Sequence, residues 1–447
     1  MTKRSKKQAR RLRNLVMICT ICAVVLTVST YAWFIGMKTV NVSTFDIDIA
    51  TTEGLFLSMN GKDWTYKLDA RNETPYTGHT NTWAPEGLIP MSTVGDMDKT
   101  SSRMKLFEKA SLTATPGGYR LLSSRVNNYQ TSADDEKLIQ GEGYVAFDLF
   151  IKNLSGREYY VENNQLNEEA IYLTTNSAVT VASDGIANTG IENSVRVAFA
   201  QVGRVKADTE SVSNITGITC SDVAESDGQA QVTGICRNAQ IWEPNDTDHV
   251  QNAINWYNTS CSLRNEDGTD VTKKESFTIV EKNETTPTNC GKVELNKAYP
   301  TYAVSRPILV GDNVDIYDGT AYNKYETNTT SYATYDAATD KSEYKLVDFP
   351  YFTDTMKDKT GTDRPEFMRL APNSITKVRV YIYIEGQDVD NYDFASLGAK
   401  ISVNFGFTKE RYTEDDVDYK GPSTDITPTQ SDEIVATPTD EVATSEA

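Results

Sequence analysis

The chain has 447 residues, with 63 acids against 44 lysines and arginines and a net charge of −19. So acidic a surface argues against nucleic acid or anionic lipid as a partner, because their phosphates would be repelled. Two histidines in this length leave little material for imidazole acid–base chemistry.

The N-terminus departs from that balance. Residues 1–14 hold seven lysines and arginines and no acid, and residues 15–35, "LVMICTICAVVLTVSTYAWFI", hold no charge at all. As a helix rising about 1.5 Å per residue, the run covers roughly 30 Å, the hydrocarbon thickness of a bilayer. A buried core helix is the competing reading, but the basic flank favours a transmembrane or signal segment with the N-terminus inside and the bulk outside. With +7 in the first fourteen residues out of −19 overall, the remainder carries −26. Cys19 and Cys22 follow Ile18 and Ile21, where a lipobox would need small residues. They read as apolar packing groups.

After the apolar run the pattern alternates with period two, the spacing of antiparallel strands with one face in the core and one in water. "STFDIDIA" aligns Phe45, Ile47 and Ile49, and "GLFLSMNG" aligns Leu55, Leu57 and Met59 before an Asn60-Gly61 turn. "SSRMKLFEKASL", residues 101–112, has loosely helical spacing. Further strands follow at Val145–Ile151, Val195–Phe199, Lys377–Ile384 and Ile401–Phe407. In the third of these, Val378, Val380, Ile382 and Ile384 are expected in the core, with Lys377, Arg379, Tyr381 and Tyr383 on the wet face. "HVQNAINWYN" reads as a short helix. Polar insertions at 207–230 and 312–345 separate the strand groups.

Residues 36–420 therefore read as a mostly β extracellular region, one large or two antiparallel β-sandwich domains, jelly-roll or Ig-like, with a cysteine-bearing insertion at about 205–295. Cys220, Cys236, Cys261 and Cys290 allow three disulfide connectivities. Cys220–Cys236 and Cys261–Cys290 close the shortest loops and are preferred. Zinc lacks a C-x-x-C pair outside the apolar run, and His79 and His249 are the only imidazoles. Residues 421–447 are acidic, rich in Thr and Pro and free of Lys and Arg, a composition expected to be disordered.

Catalytic signatures are missing: no phosphate-binding G-x-x-x-x-G-K-[ST], no H-E-x-x-H and no G-x-S-x-G. The chain is read as a non-enzyme without a cofactor, since scattered D-x-D triplets such as Asp246-Thr247-Asp248 are weak support for catalysis. Glu385, Asp388, Asp390 and Asp393 crowd oxygens into one stretch and are candidate calcium ligands, against the simpler reading of a solvated connection between strands. Trp242, beside Pro244 and several acids, is a candidate for stacking on a glycan, with burial beneath its own loop as the alternative.

The stretch "STYAWFIGMKTVNVSTFDIDI" resembles the signal region of the camelysin and TasA group of Gram-positive surface proteins. Thr30, Tyr31, Ala32 and Phe34 match that group's signal-peptidase junction, which implies cleavage near Ala32 or Trp33. The resemblance also implies a jelly-roll-like sandwich, and matrix fibres in which the freed first strand of one subunit completes the next subunit's sheet. On this basis the chain is expected to be a cell-surface structural or adhesive protein, membrane-anchored or secreted. Its expected partners are the membrane, a second copy, or a surface glycan or protein. A calcium- or glycan-binding module is the alternative.

Overall fold

The computed structural model describes residues 45–51, 54–74, 76, 82–84, 87–111, 122–126, 130–131, 138–139, 143–183, 185–260, 294–298, 302–304, 346–386, 388–392, 400–413 and 416. The apolar run at 15–35, the junction from Thr30 to Phe34 and the tail at 421–447 lie outside these residues. Among the described residues, no helix is long and apolar enough to cross a membrane.

The described chain is mostly β. Its principal strands are β1 (Phe45–Thr51), β2 (Leu55–Ser58), β3 (Lys67–Asp69), β4 (Val145–Asn153), β5 (Glu169–Leu173), β6 (Ala178–Val181), β7 (Val195–Lys206), β8 (Gln240–Glu243), β9 (Met368–Leu370), β10 (Ser374–Glu385) and β11 (Ile401–Thr408). The three principal helices are short: α1 (Val212–Thr216), α2 (Gln251–Ser260) and α3 (Asp354–Lys357). A six-stranded sheet runs β9-β5-β11-β1-β3, with β6 also on β11. In an eleven-stranded sheet, β10 lies between β4 and β7, and β8 extends the β7 side.

One apolar cluster draws on both sheets. Ile47, Ile49, Val403 and Phe405 come from the smaller sheet; Phe147, Leu149, Val197, Val380 and Ile382 come from the larger. These are the residues that period-two alternation put on the inner face. Phe199 sits edge-on to Phe367, Phe405 and Phe407 at centroid distances of 5.1, 5.1 and 5.6 Å, a favoured arrangement for aromatic rings.

The outer face of β10 differs from expectation. All twelve of its residues are buried, including Lys377, Arg379, Tyr381 and Tyr383. Water is displaced by a third layer in which Met91, Val94, Met104, Leu106 and Tyr351 pack on the two tyrosines. Part of that layer is the 101–112 stretch, which forms strands at Arg103–Met104 and Phe107–Ser111 rather than a helix. The Met104 amide donates to the Tyr381 hydroxyl at 3.1 Å. Its apolar residues thus meet a sheet, and sheet contact outweighs weak helical spacing.

Other expectations stand as read. The Asn60-Gly61 turn is present, with Gly61 at φ +71°, and α2 takes up the "HVQNAINWYN" stretch from Gln251 onward, leaving His249 and Val250 ahead of the helix. Cys220 and Cys236 form a disulfide with Cα atoms 5.1 Å apart. Gly234 is required beside it, because a Cβ there would lie 2.0 Å from the Cys220 carbonyl oxygen. Cys261 and Cys290 lie outside the described residues.

Candidate functional site

β10 ends at Glu385, and the chain continues through Asp388 and Asp390 towards β11. Strand alternation places Glu385 on the same outer face as Tyr381 and Tyr383. On β7, Arg196 pairs directly with Tyr383, so its side chain joins that face. The guanidinium is fully buried. Its Nη2 bonds Glu243 of β8 and donates to Asp388 Oδ2 at 2.6 Å, while Nη1 donates to the carbonyls of Asn193 and Val195 at 3.1 and 3.0 Å. The Tyr351 hydroxyl donates to Glu385 Oε2 at 2.9 Å, and the guanidinium carbon lies 5.1 Å from the centre of the Tyr351 ring.

The second half of the site is built on Asp390. Its Oδ1 accepts from the Val250 amide at 3.1 Å, and its Oδ2 lies 2.6 Å from His249 Nδ1. Asp388 Oδ1 links the halves, accepting from the Asp390 amide at 2.8 Å and the Ser194 hydroxyl at 3.4 Å. Gly190, at φ +83°, permits this approach. A Cβ there would fall 2.9 Å from Asp390 Oδ1 and 2.6 Å from Val250.

Four carboxylates thus surround one guanidinium and one imidazole. Burial opposes charge on Arg196, but Glu243 and Asp388 outweigh it and hold its pKa above the usual arginine value. Burial pushes Asp390 up to about 6, against the pull of His249. For His249 burial acts downward, and the hydrogen bond and charge of Asp390, with Asp388 behind it, raise the net value above 6.5. Burial, then Glu385, drives Tyr351 and Tyr383 well above 10.0. The oxygens of Asp388 and Asp390 therefore pin the 386–392 connection to β7 and to the start of α2.

A separate charged cluster lies further along the same outer face. Asp148 of β4 pairs with Arg379 of β10 in the sheet register. Its carboxylate receives Arg379 Nε and Nη2 at 2.6 and 3.1 Å and the Tyr76 hydroxyl at 2.5 Å, with Lys377 Nζ at 3.5 Å. Such a two-pronged guanidinium–carboxylate pair is among the stronger polar contacts a protein makes.

No family model, curated protein or solved structure matches this chain.

Of the candidate calcium ligands, Glu385, Asp388 and Asp390 come together and Asp393 lies outside the described residues. Among the described residues, no group of three His, Cys, Asp or Glu side chains is arranged to hold a metal ion. Trp242 is fully buried, and its Nε1–H donates to Asp354 Oδ1 at 2.7 Å. Its ring has no open face for a sugar; it packs within the apolar cluster shared by the two sheets.

Sequence reasoning missed Arg196, Glu243 and Tyr351 as members of the network. The available signal was an arginine inside the apolar run "SVRVAFAQV", on the face taken to be wet.

Proposed function

We propose that this chain is a cell-surface structural or adhesive protein of a Gram-positive-type bacterium, non-enzymatic and built on a β-sandwich. Its N-terminal apolar segment either anchors it to the membrane or is removed near Trp33. The sharing of one apolar cluster by two sheets supports the sandwich. The pairing of β1 carries the assembly reading. β1 lies between β11 and β3 and runs parallel to β11, the last described strand, from Phe45↔Ile401 to Thr51↔Phe407. A first strand held beside the last can be supplied by another copy without changing the order of the remaining strands.

Cross-linking tests strand exchange. Asp48 and Asn404 are register partners. Full-length Asp48→Cys and Asn404→Cys chains are prepared separately, mixed and allowed to assemble, and linked peptides are identified by mass spectrometry. A disulfide joining positions 48 and 404 of different copies is expected. A link that forms only within a chain carrying both substitutions would overturn exchange. N-terminal sequencing with intact mass separates release from anchoring: a start near Trp33 or Phe34 means a freed first strand, and an intact start confined to membranes means a tethered domain.

A further inference from the structure

His249 touches two segments distant in sequence. Its Nδ1 lies 2.6 Å from Asp390 Oδ2, and its Nε2 lies 3.1 Å from the carbonyl oxygen of Lys297. A carbonyl only accepts, so Nε2 must carry a hydrogen. Nδ1 and Oδ2 then meet with one proton between them, held on the imidazole or on the carboxyl. Remove that proton, and a nitrogen lone pair faces a carboxylate at bonding distance. The site shields such repulsion poorly, because the side chains are 8% and 0% exposed. Both contacts persist only while the pair keeps its proton.

We infer that the proton shared by His249 and Asp390 is a latch: through His249 it ties the 294–298 segment to the 386–392 connection, and it releases that segment as pH rises.

The surrounding groups agree in sign. From the 386–392 connection Asp388 faces both members of the pair, and Arg196 of β7 holds its far oxygen. Burial first, then the charges of Asp390 and Glu192, raise the pKa of Tyr392. From the helix side the Val250 amide donates to Asp390, and the 294–298 segment contributes the Lys297 carbonyl. Burial lowers His249 and the two aspartates more than restore it, so its folded value lies above 6.5. A raised folded pKa gives a contribution fully present below 6.5 and lost as pH climbs through the folded value.

Hydrogen exchange of the full-length chain, corrected for base catalysis of exchange, reads the latch in peptides covering 249–255 and 294–298. Between 6.5 and the folded pKa, protection in the wild type should fall about tenfold per pH unit, the slope of a one-proton equilibrium, and it should level off above the folded value. In Asp390→Asn the amide donates to Nδ1 without a titrating proton, so protection there should not change with pH. A wild type and an Asp390→Asn variant with the same pH dependence would overturn the latch. An independent readout is the imidazole NMR titration, with His249→Gln separating His249 from His79, the other histidine. A wild-type His249 midpoint above 6.5 supports the proposal, and one at or below it defeats the proposal whether or not the variants fold.

Discussion

Asp148 shows how a single residue is held by charge in the interior. Burial acts to raise its pKa, but Arg379 and then Lys377 outweigh it and hold the carboxyl well below 3.8. Asp148→Asn leaves two buried cations facing a neutral group, and should cost about 3–5 kcal/mol in denaturant unfolding at neutral pH. The sign in acid follows from the depressed folded value. The stabilisation is complete above 3.8 and fades as pH falls below it, so the gap between wild type and variant should narrow in acid. A gap of constant size would mean that the carboxylate's charge is not what the site uses. None of this was legible beforehand. Lys377 and Arg379 alternate with apolar residues as they would on a solvated face, and only distant segments, Tyr76 and the Thr216 carbonyl at Lys377 and the Ser102 carbonyl at Arg379, make their charge a buried one.

At the level of elements, the inner faces were legible and the outer faces were not. Alternation selected Val378, Val380, Ile382 and Ile384, and all four are fully buried in the shared cluster. Phe199→Ala should cost about 3–5 kcal/mol, because a ring with three aromatic neighbours is replaced by a cavity; a loss under about 1 kcal/mol would mean the cluster collapses to fill the space. The disulfide spans a sequence separation of 16, and a Cys220→Ala/Cys236→Ala pair should lose about 3 kcal/mol by freeing the unfolded chain. An unchanged denaturation midpoint would count against that entropy argument. The 101–112 segment was misread for a physical reason: three apolar residues at loose spacing carry little helical preference, and a sheet face waiting to be covered decides the outcome.

At the scale of the molecule, β1 lies beside the last described strand, while the acidic tail at 421–447 is expected from its composition to stay disordered. Ile47 and Ile49 are fully buried, so simple deletion of β1 would damage the subunit as well as any assembly, and cross-linking is the cleaner probe. Removing residues 421–447 should leave the melting temperature within about 1 °C of the full chain, since a segment that buries little apolar surface adds little stability. A marked fall would show that the tail docks. The −19 charge should keep subunits apart at low salt, so any assembly should strengthen as salt screens the repulsion.

By itself the sequence determined the mostly β architecture, the inner core faces and the lack of familiar catalytic motifs, and it favoured the pairing of Cys220 with Cys236. These are local or periodic properties, readable from neighbours along the chain. Only the tertiary structure decided that β10 is covered on both faces, that Trp242 is closed to solvent and that His249 meets Asp390 across the fold. Each of these depends on which distant segment displaces water from a given side chain, and spacing along one strand carries no record of that.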